Sequence, residues 1–126
     1  CPIDVHAGPS EIVVWSDRGR PVWIALDLLA QAEHDPDARA VFVTTRETLA
    51  REVAAAVGRR MPADGPARAA MRRNGAVVVT RTRREAIDVV NRLAPEHLVV
   101  DTAADAEAVA AAGTIFVGDW SVQAAG

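Results

Sequence analysis

The sequence predicts an α/β fold: a Rossmann-like layered domain with a mostly parallel five-stranded sheet flanked by helices. Short runs of Val, Ile and Phe recur along the chain and alternate with longer helical stretches. The apolar residues within each run are contiguous rather than alternating, which is typical of strands buried on both faces of a parallel sheet. This order matches repeated strand–helix–strand crossovers. Because 126 residues fit one such domain, we assign residues 1–126 to a single domain.

Each element has a local signal. Pro21 suits the first turn of a helix, Gly75 and Gly113 are placed to end helices before strands, and Pro95 should end a helix at Ala94. The expected strands are 11–16 (EIVVWS), 40–45 (AVFVTT), 76–80 (AVVVT), 97–101 (HLVVD) and 114–118 (TIFVG). The expected helices are about 21–34, 46–61, 82–93 and 104–112, with a further helical stretch near 64–73.

The composition limits the class of protein. Half of the residues are apolar and 25% are charged, as in a soluble α/β domain. No apolar run approaches the roughly 20 residues that span a bilayer, and no secretory signal is recognisable. Cys1 is the only thiol, which excludes an internal disulfide. We therefore expect a cytoplasmic protein with no membrane partner.

A group of arginines raises the question of nucleic-acid binding. The formal net charge is nevertheless −3, and no aromatic residues are interleaved with the arginines. A solvated helical face is the better interpretation, and no nucleic-acid partner is expected. The arginines are Arg59, Arg60, Arg68, Arg72, Arg73, Arg81, Arg83 and Arg84.

The turn after the first strand bears on nucleotide binding. It reads WSDRGRPVW and contains neither G-x-G-x-x-G nor a P-loop. The glycines that let a backbone approach a diphosphate are absent, so we do not expect this turn to bind a dinucleotide in the usual way.

Gln31 and His34 could together contact one small ligand. A spacing of three residues leaves them roughly 60° apart on one face of a helix. Imidazole is a common zinc ligand, whereas an amide oxygen is a rare one. The alternative is an exposed Gln31 and a His34 favourably placed near a helix C-terminus.

Two further stretches carry polar candidates. In APEHL (94–98), Glu96 and His97 offer two adjacent general bases beside a strand, of which the carboxylate would need burial to act near neutral pH. In AGPSE (7–11), Ser10 precedes the first strand. The alternatives are a solvated Glu96, a His97 that merely begins a strand, and a Ser10 that caps a turn.

Topology places these candidates together. In a parallel sheet, the C-termini of crossover helices and the N-termini of strands lie at one edge. Ser10, the pair Gln31 and His34, and the pair Glu96 and His97 should all lie at this edge. Ligands of such sheets usually bind at the opposite, carboxyl edge, so a site here would need chain from outside the domain.

At these residues the sequence resembles histidinol dehydrogenase. The resemblance implies the last steps of histidine biosynthesis: oxidation of L-histidinol through the aldehyde to L-histidine, with two NAD and a bound zinc, in a homodimer. It covers essentially the whole chain in five ordered motifs: IDVHAGPSE (3–11), DLLAQAEHDPDA (27–38), RNGAVVV (73–79), VVNRLAPEHL (89–98) and AGTIFVGDWS (112–121).

The resemblance also implies a role for each candidate residue. Gln31 and His34 would be zinc ligands beside the substrate, which Ser10 and His97 would contact. Glu96 and His97 would be the catalytic pair that accepts protons, and two bases suit two successive proton abstractions. No residues are assigned to NAD.

The sequence departs from the family at its end. Family members continue to an Asp and an Asn-His motif that complete the zinc shell, and they carry a partner domain associated with NAD, whereas this sequence ends at Gly126. We therefore expect a fragment of a longer multidomain enzyme that binds zinc weakly or not at all and is inactive alone. The alternative is a stand-alone Rossmann-like binding or assembly domain that keeps the fold without catalysis.

Overall fold

The computed structural model describes residues 11–34, 39–61, 75–109 and 112–118. The expected helix near 64–73 and Ser10 lie outside these ranges. Within them the elements follow in the order β1 (Glu11–Trp15), α1 (Pro21–His34), β2 (Arg39–Thr44), α2 (Glu47–Arg60), β3 (Gly75–Val79), α3 (Arg83–Leu93), β4 (His97–Val100), α4 (Ala103–Ala108) and β5 (Thr114–Val117).

The five strands form one sheet in the order β3-β2-β1-β4-β5. All four pairings between neighbouring strands are parallel. The predicted α/β architecture is therefore confirmed. The strand order reverses between β1 and β4. The chain first adds β2 and β3 on one side of β1, and it then returns to place β4 and β5 on the other side of β1.

The core explains the contiguous apolar runs. Val13 and Trp15 of β1 face one hydrophobic cluster, to which α3 contributes Val90. Val14, between them, faces a second cluster, to which α1 contributes Leu28. Both faces of the central strands are thus covered, and each fully buried side chain of this kind stabilises the fold by roughly 1.5–3 kcal/mol.

Most predicted boundaries agree with the structure to within a single residue at either end. The helix expected at 104–112 is shorter, because α4 ends at Ala108 and the N–H of Val109 bonds back to Ala106. Val109 is buried in the core, so tertiary packing overrides the helix propensity of the alanine-rich sequence. Gly113 therefore does not cap this helix, although its position in the sequence suggested that it would.

Helix α3 ends as predicted before Pro95, with an unusual cap. Ala94 has φ 46° and ψ 57°, the left-handed conformation, and its N–H bonds to Val90 O. It is the one non-glycine residue with positive φ in the described ranges. This conformation costs an L-residue roughly 1–2 kcal/mol, and it turns the chain directly into Glu96 and His97.

The exposure of the arginine side chains agrees with the predicted solvated face. Those arginines of the Arg-rich stretch that have described side chains are exposed: Arg59, Arg60, Arg81, Arg83 and Arg84. Arg83 forms an ion pair with Asp105 at 2.9 Å and lies 5.5 Å from the centre of the Trp15 ring. Among the described helices, none has the length and apolar character that a bilayer crossing requires.

Candidate functional site

The end of α1 and the start of β4 lie at one edge of the sheet. His34 is the last residue of α1. His97 is the first residue of β4 and pairs with Ile12 of β1 and Thr114 of β5. Since a crossover helix runs opposite to its strands, α1 ends where β1 and β4 begin. The predicted position of these two motifs at one edge of the sheet therefore agrees with the observed topology.

The two motifs also share one face of the sheet. Val14 pairs with Val99, as Ile12 does with His97, so Val14, Val99 and His97 point to the same side. Val14 packs against Leu28 of α1 on that side. His97 therefore lies on the face that α1 covers.

His97 lies beside an open apolar surface. Its ring stacks on Phe116 of β5, with centroids 6.4 Å apart and planes inclined by 22°. Phe116 is 53% exposed. Helices α1 and α2 contact β1, β2 and β3. Within the described residues, His97 and Phe116 are both exposed on this side of the sheet.

Backbone bonds fix the segment that carries Glu96. Gly113 N donates to Pro95 O at 2.9 Å, and Thr114 N donates to Glu96 O at 2.8 Å. A Cβ at position 113 would lie 3.1 Å from Glu96 O, so glycine permits this close approach. The Glu96 side chain is exposed, which does not supply the burial that a strong carboxylate base requires.

Helix α1 has two different flanks. Ala25, Leu29 and Ala32 are buried on one. By helical geometry, Asp27 and Gln31 lie on the other, and both are half-buried. The Oδ2 atom of Asp27 is buried and has no hydrogen-bond partner in the described structure. Burial raises the pKa of the Asp27 carboxyl above its ordinary value. An unsatisfied carboxylate oxygen therefore lies one turn before Gln31.

The donor set fits part of a zinc site. Within the described residues, no three His, Cys, Asp or Glu side chains cluster closely enough to hold a metal. Gln31 and His34 could contribute an amide oxygen and an imidazole from one turn of α1, whereas structural and catalytic zinc sites use about four ligands. The orphaned oxygen of Asp27 lies one turn away and is a further acceptor near this position. A complete zinc shell would need donors from outside the described residues.

The opposite, carboxyl edge contains a polar network that sequence reasoning missed. Ser16 Oγ donates to Asp101 Oδ1 at 2.7 Å. Asp101 Oδ2 accepts from Asp17 N at 2.9 Å and Arg18 N at 3.2 Å, while Gly19 N donates to Ser16 Oγ. This network bridges β1 and β4, where the strand order reverses and ligands of such sheets usually bind.

Asp17 ties the same loop to β2. Its Oδ1 accepts from Thr44 Oγ1 at 2.6 Å and Thr45 N at 2.7 Å. Its Oδ2 accepts from Thr45 Oγ1 at 2.8 Å. The N–H groups of Asp17, Arg18 and Gly19 in this loop are thus bonded to carboxylate and hydroxyl oxygens of the protein itself. The sequence offered one signal for this network, because Asp17 and Asp101 each lie at the carboxyl end of a predicted strand. The structure shows that these two strands are neighbours.

A groove between α1, α2 and β3 is a poor candidate for chemistry. The side chains that line it include Leu28, Val53, Val57, Met61 and Val77, and its described lining residues are all apolar or glycine. No side chain among them can transfer a proton or bind a metal strongly.

Comparison with known proteins identifies relatives over the whole chain. The sequence model of the histidinol dehydrogenase family matches residues 1–126. Histidinol dehydrogenase of Cereibacter sphaeroides is 48% identical over 132 residues, which cover 98% of this chain and 30% of that protein. The Halalkalibacterium halodurans enzyme of the same name is 46% identical, covering 98% of this chain and 31% of the relative.

A solved structure has the same fold. The crystal structure of histidinol dehydrogenase from Elizabethkingia anophelis superimposes with a TM-score of 0.77 at 27% identity, covering 90% of this chain and 28% of that one. The chain thus spans about 30% of the length of these relatives.

Proposed function

Because the chain belongs to the histidinol dehydrogenase family, we propose that it is the Rossmann-like part of an enzyme that oxidises L-histidinol to L-histidine. The first oxidation would transfer a hydride from the alcohol carbon to NAD and release a proton, giving the aldehyde. Water would add to the aldehyde, and a second hydride transfer to NAD would leave the carboxylate.

The observation that carries this proposal is the position of His97. It lies at the edge where α1 ends and on the face that α1 covers, beside the open apolar surface formed by Phe116. Polar groups that converge beside an apolar surface are typical of small-molecule sites. His97 would accept the alcohol proton. Glu96 would accept a proton from the attacking water, and its exposed side chain would need burial by segments outside those described to act as a strong base.

Gln31 and His34 would hold a zinc ion at the end of α1. The zinc would position and polarise the substrate oxygen. Ser10 would contact the substrate, as would His97. The side chains of Ser10 and His34 lie outside those described, so these roles rest on the sequence motifs and on the position of α1.

The isolated chain should bind zinc weakly and should not turn over histidinol. Support comes from the donor count, because the described residues contain no cluster of three strong metal-binding side chains and zinc generally requires about four ligands. In the longer protein the remaining donors and the NAD site would lie on other segments. We propose a homodimer in the cytoplasm as its natural state.

The test is made on the natural full-length product. Zinc content is measured after exhaustive dialysis, and NAD reduction is followed at saturating L-histidinol. The proposal predicts stoichiometric zinc and the formation of two NADH for each histidine. Folded protein with neither zinc nor turnover would contradict it and would favour the alternative, a binding or assembly domain that keeps the fold without catalysis.

A further inference from the structure

Asp27 contains the clearest unexplained polar group of the described chain. Its Oδ2 atom is buried without a hydrogen-bond partner. Burial of an unpaired polar atom costs free energy, and buried polar groups in native proteins almost always have a partner. This oxygen therefore requires a donor that no group directs at it in the described structure.

Gln31 is the neighbour that can supply a donor. It follows Asp27 by four residues in α1, so the two side chains lie about 40° apart on one flank of the helix. Long helical side chains lean towards the N-terminus, which brings the end of Gln31 over the turn that contains Asp27. Pairs of Gln and Asp at this spacing form hydrogen bonds on helices.

The chemistry of an amide ligand requires such a partner. A glutamine binds a metal through Oε1, and its Nε2 then has two N–H groups to donate. An ionised carboxylate only accepts hydrogen bonds. Ligands of metals are commonly oriented by an outer hydrogen bond of this kind, and its loss typically weakens metal binding by 10–100-fold.

We propose that Asp27 is a positioning residue for zinc, which accepts a hydrogen bond from Gln31 Nε2 and so turns Gln31 Oε1 towards the metal. The inference rests on the proposed function, since it requires Gln31 to be a zinc ligand. It also accounts for a carboxylate at a half-buried position of an otherwise amphipathic helix: the metal and the amide N–H together favour the charged form that burial alone disfavours.

The test compares three variants of the full-length protein. Asp27→Ala removes the acceptor, Asp27→Asn removes the charge but keeps an amide oxygen that can accept, and Glu33→Gln removes an exposed carboxylate of the same helix as a control for charge. Zinc affinity is measured by competition with a chromophoric chelator, and thermal stability is measured on the metal-free protein. We expect zinc affinity to fall by about 10–100-fold in Asp27→Ala, to fall by less in Asp27→Asn, and to stay within about twofold of wild type in Glu33→Gln.

Stability separates positioning from a structural role. Asp27→Asn removes an unsatisfied buried charge, so the melting temperature of the metal-free protein should rise or stay unchanged while zinc affinity falls. A parallel loss of stability and zinc affinity would overturn the proposal. Asp27→Ala, which has no acceptor, should show the same opposite changes with the larger loss of zinc affinity, and it tests the proposal if Asp27→Asn does not fold.

The coupling to Gln31 and the failure of the proposed function are tested separately. In a Gln31→Ala background, Asp27→Ala should cause no further loss of zinc affinity, and in the cobalt-substituted protein Asp27→Ala alone should change the visible d–d spectrum. Zinc binding that depends on Gln31 but is unchanged in Asp27→Ala would overturn only the role of Asp27. Absence of zinc from the wild-type protein would overturn both.

Discussion

Ser16 and Asp101 join two neighbouring strands at the carboxyl edge of the sheet: the hydroxyl of Ser16 donates to the Asp101 carboxylate at 2.7 Å. The same carboxylate accepts from the N–H groups of Asp17 and Arg18. These groups lie at the edge where such folds commonly bind nucleotides, and they are bonded to the protein's own side chains.

Asp101→Ala should destabilise the fold. The substitution leaves the Ser16 hydroxyl and the N–H of Asp17 without their acceptor, and each such loss costs about 1–3 kcal/mol. Urea unfolding of the full-length protein measures the effect, with Glu107→Ala on the exposed side of α4 as the control. Equal unfolding midpoints for the two variants would show that the network contributes nothing to stability.

Ala94→Gly should stabilise the protein. Ala94 has a φ of 46°, a conformation that glycine adopts without strain, and the gain should be about 0.5–1 kcal/mol after the entropic cost of glycine. Ala55→Gly, the same change at an exposed position inside α2, should instead cost about 1 kcal/mol. Opposite shifts in melting temperature are expected, and shifts of the same sign would contradict the account of the α3 cap.

Asp27 should make the stability of the metal-free protein fall as pH rises. Burial raises the pKa of this carboxyl, so the folded state binds more protons than the unfolded state from about pH 4 upwards, until the folded-state pKa is passed. Asn cannot ionise. The stability advantage of Asp27→Asn over wild type should therefore grow across this range and then become constant, as measured by urea unfolding at successive pH values. A difference independent of pH would refute the assignment.

Phe116→Ala should lower turnover without releasing zinc. The Phe116 ring stacks on His97, and an aromatic pair contributes about 0.5–1.5 kcal/mol, which corresponds to a loss of up to about tenfold if the stack orients the imidazole. Val117→Ala is the matched control, since Val117 is 52% exposed and points to the opposite face of β5. Equal kcat values for the two variants would argue against a role for the stack.

Much of the fold follows from the sequence because its strands are apolar on both sides. The runs at Val13 and Phe42 have no polar alternation, which indicates a sheet covered on both faces and therefore parallel strands. The end of α4 at Ala108 could not be predicted in this way, because the alanine-rich sequence favours a longer helix and only the burial of Val109 in the core stops it.

The candidate site was predictable to the level of an edge of the sheet. The parallel topology by itself places the end of α1 and the start of β4 at the same edge. The carboxyl-edge network was not predictable, since it depends on β1 and β4 being neighbours, which local patterns do not encode. Asp27 was missed for a related reason: its unpaired oxygen is a property of packing, not of helical spacing.

The most direct test of the account is the zinc content of two histidine variants of the full-length protein. His34→Ala should lose zinc, because it removes a ligand at the end of α1. His97→Ala should retain nearly full zinc while its turnover of L-histidinol falls by about 100-fold or more, because His97 accepts a proton and does not hold the metal. Equal loss of zinc from both variants, or full zinc in His34→Ala, would contradict this division of roles.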